Sequence, residues 1–153
     1  MTHHSASTSG RRAHTIPVGH HLRSRRRDVA VWSLAQGRPV DRDALAVVLN
    51  SSTDPNRSDS PDRWTSERVA GLLWEGVLGW CRANSVAPPP PDDVRATLLA
   101  YLRYLGEHRL LAEDSDRPAQ LRRAVAEHGR TPGGSVRPPV DRRRAPASVT
   151  PIA

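Results

Sequence analysis

Cys81 stands between Trp80 and Arg82, and a thiol beside a guanidinium is where nucleophilic chemistry could arise in this 153-residue chain. On a helix, however, Arg82 projects about 100° round from Cys81. The body of the chain offers only His108 and His128 as bases, both near helix ends. The spacing points to a buried structural cysteine rather than a Cys/His pair. His3, His4, His14, His20 and His21 could hold zinc, copper or nickel by residue type. They sit in a polar segment that fixes no ligand geometry, so no metal site is expected. The acids form no convergent pair at helical spacing, and there is no phosphate-cradling glycine loop, serine elbow or paired-histidine zinc motif. No catalytic residue and no cofactor is assigned, and an enzyme is not the expected class.

Arginine supplies the clearest candidates: Arg23, Arg25, Arg26 and Arg27 near one end, and Arg142, Arg143 and Arg144 near the other. Such clusters neutralise phosphates on DNA or RNA without reading base sequence. The net charge of +7 is unevenly spread. Residues 1–40 carry seven Arg against one Asp and residues 129–153 five against one, whereas residues 41–128 carry eleven Arg against fourteen acids. The body is mildly acidic, so any polyanion binding belongs to the ends. All 23 basic side chains are arginine and phenylalanine is absent, a bias that GC-rich coding would also produce.

The stretch LLWEGVLGWCRAN, Leu72 to Asn84, holds two of the four tryptophans and the single cysteine. At 100° per residue from Val69, the positions Val69, Leu73, Val77 and Trp80 form the centre of an apolar stripe. Trp74 and Cys81 lie on one flank and Leu72 on the other. A stripe this wide suits a central helix packed on several sides, with Trp74 and Leu78 left on a flank where a protein partner or a second copy could dock. Gly71, Gly76 and Gly79 each cost about 0.5 to 1 kcal/mol in a helix interior, which is explained if another helix crosses closely there.

The elements that must position these residues are helical. Residues 1–27 and 130–153 lack a buriable face and are expected to be disordered basic arms around a helical domain at 28–129. Within it, Asp28 to Gly37 suits a short helix stopped at Gly37, and Asp41 is an N-cap for a helix with Leu45, Val48 and Leu49 on one face. A polar loop over 50–63 precedes a helix over 66–84 capped by Thr65 or Ser66. Trp64, just before that cap, resembles a hydrophobic staple residue. Pro88 to Pro91 form a stiff spacer before the longest helix, Asp92 to Leu111, which buries Val94, Leu98, Tyr101, Leu102 and Leu105. Asp116 is the expected N-cap of a last helix that carries Leu121, Ala124 and Val125 inward and stops at Gly129. Only the first two helices are joined tightly enough for a helix-turn-helix, and the second offers almost no side chain for base edges.

These features together imply an all-α bundle of four to five helices. A single cysteine suits a reducing compartment, so a cytoplasmic setting is expected, and no run is long and apolar enough for a membrane span. The start of the chain, with an arginine pair and no apolar run behind it, does not fit a secretory or twin-arginine signal. The first functional expectation is a protein–protein interaction module or homo-oligomer docking through Trp74 and Leu78. The alternative is a nucleic-acid-associated or regulatory protein acting non-specifically through the arginine arms.

Overall fold

The computed structural model describes residues 15–53 and 60–128, and every regular element among them is helical. A 3-10 turn, His20–Leu22, leads into α1 (Arg23–Ala35), followed by α2 (Arg42–Ser52). Then α3 (Ser66–Gly71), a π-turn (Leu72–Gly76) and α4 (Val77–Ala83) run on as one rod, before α5 (Pro91–Glu107) and α6 (Pro118–His128). Counting that rod once, the described residues form five helices, the all-α bundle that the helix punctuation predicts. Residues 1–14 and 129–153 lie outside the described part.

The helix ends follow capping chemistry. Asp41 accepts from the Ala44 N–H at 2.8 Å, and Thr65 accepts from the Arg68 N–H at 3.1 Å, each satisfying a first-turn donor. After α1, Gly37 takes φ +70°, the Gly37 N–H donates to Leu34, and the Arg38 N–H donates back to Ser33. That is the Schellman pairing glycine favours. α5 starts at Pro91, where a missing N–H costs nothing. It ends at Glu107 rather than Leu111, because the Leu110 N–H turns back to Leu105 while Arg109 takes the left-handed φ of 55°. A non-glycine residue does the stopping, so the sequence carries no stop signal there.

α1 begins at Arg23 rather than at Asp28, so residues 20–27 belong to the helical body and not to an arm. Leu22 and Val29, two turns apart, are both buried, which gives the arginine-rich turns a face to bury. Arginine is in any case a good helix former. Val18 is buried ahead of them, and its segment is tied down twice: Arg26 donates to the Ile16 carbonyl at 3.0 Å and Asn50 to the Pro17 carbonyl at 2.9 Å.

The central helix is α2, not the rod expected to hold that place. Ala44, Leu45, Ala46, Val47, Val48 and Leu49 are all fully buried, with α1, α4, α5 and the π-turn packed round them. A helix apolar all round is a buried helix, and this stretch has no polar residue to spare. The rod's own inward face is also displaced. One extra residue in a π-turn sets everything after it back by about 100°. The buried positions are therefore Val69, Leu72, Val77 and Cys81, while Leu73 and Trp80, expected at the centre, are half-buried.

The two ends of the bundle's second half are laced together by backbone. The Ala112 N–H donates to Asp62, the Asp116 N–H to Trp64, and the Trp64 N–H to the Ser115 hydroxyl, all within 3.0 Å. Asp116 does not cap its own helix. Its carboxylate accepts from the Ser66 N–H at 2.6 Å, at the first turn of α3. That backbone bond, then the Ser66 side chain, holds the Asp116 carboxyl below its ordinary value, with the Arg63 charge adding. Because the folded pKa lies below the unfolded one, the stabilisation is present above the usual carboxylate range and is lost as pH falls through the lowered value. Between about pH 5 and 3 the melting temperature of the wild type should fall more steeply than that of Asp116→Asn, which should already melt lower at neutral pH. Parallel acid limbs in thermal melts would contradict this.

Candidate interaction surfaces

Trp74 is 65 % exposed and Leu78, one turn on, is 48 % exposed. α5 therefore does not wrap this flank, although the proline spacer before it could have allowed that. Gly71, Glu75, Gly79 and Arg82 share the exposed side of the rod. Gly76 alone among the rod's glycines is crowded, with a Leu72 methyl 3.1 Å from where its Cβ would lie, a contact inside the rod itself. Among the described residues nothing lies within 4 Å of a Cβ at Gly71 or Gly79. The expectation that all three admit a crossing helix of the same chain therefore fails. They instead border an open groove of about 360 Å³, with Arg68 and Glu75 on its sides and the buried Trp64 among its lining residues.

The four clustered arginines separate by role. Arg25 pairs with Asp62 at 3.4 Å and is half-buried, and Arg26 holds the Ile16 carbonyl, so both are structural. Arg23 and Arg27 stay exposed, and Arg27 pairs with the exposed Asp28 at 3.7 Å. The fold adds a residue that sequence reasoning missed. Arg42, the first residue of α2, meets Arg23, Arg26 and Arg27 round a groove of about 490 Å³ between the 15–18 segment, α1 and the start of α2. Ile16, Val18, Ala30, Val31 and Leu45 give it an apolar floor. His20 and His21 sit beside Arg23 and Arg27 in an adjoining hollow. No sequence signal ties Arg42 to the α1 cluster, because only the α1–α2 packing brings them together. Arg142, Arg143 and Arg144 lie outside the described residues.

No protein-family model, curated protein or solved structure matches the chain.

Cys81 is 2 % exposed, and burial pushes its thiol pKa up, the wrong direction for a nucleophile. His108 closes the end of α5, its Nδ1 2.9 Å from the Tyr104 carbonyl and its ring against Tyr104 at 4.3 Å, and Trp32 donates to Glu107 at 3.2 Å beside it. The contacts of Trp32 with Glu107, Tyr104 and His108 fasten α1 to α5. Among the described residues no three His, Cys, Asp or Glu side chains gather as a metal-ligand set, and no helix is long and apolar enough to cross a membrane. α2 cannot serve as a recognition helix, since its length from Ala44 to Leu49 is covered.

Proposed function

We propose that the chain is a helical protein–protein interaction module that docks a partner helix, a second copy of itself in the first instance, across the Trp74–Leu78 face. The observation that carries the reading is the exposure of an indole and a leucine one turn apart on a well-formed rod. Large aromatics concentrate binding energy where they are desolvated on contact. Glycines at 71 and 79, where no described residue meets a Cβ, leave the backbone beside Trp74 open to close approach. The single cysteine, buried and unpaired, suits a reducing compartment, and we place the protein in the cytoplasm.

Light scattering on the full chain tests the reading. The wild type is expected to have the mass of a dimer and Trp74→Glu that of a folded monomer. Gly79→Ala adds a second readout. It should raise the stability of the separated chain by about 0.5 to 1 kcal/mol, because an exposed helix interior prefers alanine, and weaken self-association by standing in the approach path. A wild-type monomer whose Trp74 fluorescence ignores concentration would overturn self-docking.

A further inference from the structure

The groove between the 15–18 segment, α1 and α2 is independent of the Trp74 face, and its chemistry is different. Four guanidinium groups ring it and no Asp or Glu is among its lining residues. Arg26 is committed to the Ile16 carbonyl and so builds the wall. Arg23 and Arg42, both exposed, together with Arg27 make the rim. The floor is aliphatic, and the apolar surface continues out of the groove along α1: Val31 is 63 % exposed and Leu34, a turn further, 67 %. A cationic rim over an apolar floor is complementary to an anionic ligand that also carries a hydrophobic side chain.

From this we infer that the groove is a docking site for an acidic peptide segment of a partner protein, one that seats an aliphatic side chain on Ile16, Ala30 and Val31 while its carboxylates meet Arg23, Arg27 and Arg42. A nucleic acid uses the rim but not the floor. Non-specific single-strand sites add aromatic rings on which bases stack, and none of the groove's lining residues is aromatic. A phosphate backbone would also lie against Val31 and Leu34 without burying them in an apolar contact. Carboxylates spaced around a leucine satisfy both halves of the surface, and Arg presents the planar fork that carboxylates accept.

The test uses the full chain and a short fluorescein-labelled peptide in which Glu and Asp surround two leucines, followed by anisotropy. Arg42→Glu is the key variant, because an acid at the first position of α2 is favoured by the helix N-terminus and so keeps the fold; Val31→Glu reports on the floor. Each should weaken the peptide by about tenfold or more, with unchanged far-UV circular dichroism. A peptide with serine for both leucines should lose a similar factor. An oligothymidylate of the same charge should bind no differently to wild type and the two variants, since any contact with it lies elsewhere. Peptide affinity unchanged in both variants would overturn the assignment. So would an oligothymidylate that displaces the peptide and is itself weakened by Arg42→Glu, because the groove would then be a phosphate site.

Discussion

Trp64→Ala should cost about 3 to 5 kcal/mol, enough to leave the domain largely unfolded in moderate urea. Trp64 is the largest side chain with no solvent exposure. Its ring meets Tyr101 edge-on at 6.0 Å and lies under the Arg68 guanidinium at 4.4 Å, while its backbone N–H and carbonyl hold Ser115 and Asp116. Truncation empties the junction where the start of α3, the middle of α5 and the entry to α6 converge. Among the described residues the indole N–H has no hydrogen-bond partner. Trp64→Phe, which keeps a ring and removes that donor, should therefore cost clearly less than Trp64→Ala. Urea midpoints of the two variants within error of each other would show that the ring contributes little packing.

Leu98→Ala is the second large effect, at about 2 to 5 kcal/mol. Leu98 is fully buried on the face of α5 that also carries Val94, Tyr101, Leu102 and Leu105, the face packed on α2 and α6. α2 is held by its Asp41 cap and the entry to α6 by the Asp116 N–H bond to Trp64, so the neighbours are expected to close little of the space left by the missing methyl groups. A denaturation midpoint like that of the wild type would mean that α5 presents a different side to the core.

α5 and α6 were legible because each has one buried stripe at a single helical period. Leu98 and Leu105, or Leu121 and Val125, can be placed by spacing alone, and all are buried. The rod 66–83 was legible in extent and in its Thr65 cap but not in its facing. A π-turn has no residue signature in Leu72–Gly76, and it moves Cys81 inward and Trp80 outward. The apolar run of α2 reads as a one-faced helix, yet Ala44 to Leu49 leave no face to expose. Trp64 reads as a local staple from its position before the cap, whereas its contacts with Tyr101 and Ser115 are long-range and leave no trace in local pattern. Of the two surfaces, Trp74 and Leu78 could be named from sequence. The arginine groove could not, because Arg25 and Arg26 turn inward, and Arg42 arrives from another helix.

The complete burial of α2 bears on how the molecule comes apart. Each surrounding helix acts as one side of a box, and no side can be lifted without wetting Val47, Val48 or their neighbours. A partly opened form that keeps most of the bundle thus has little to recommend it energetically. The backbone amides of residues 45–49 are therefore expected to exchange with solvent most slowly, and those of the exposed turns of α1 and of the Trp74 side of the rod faster. The two surfaces proposed for docking are thus carried by the outer helices, one layer removed from the fully buried α2.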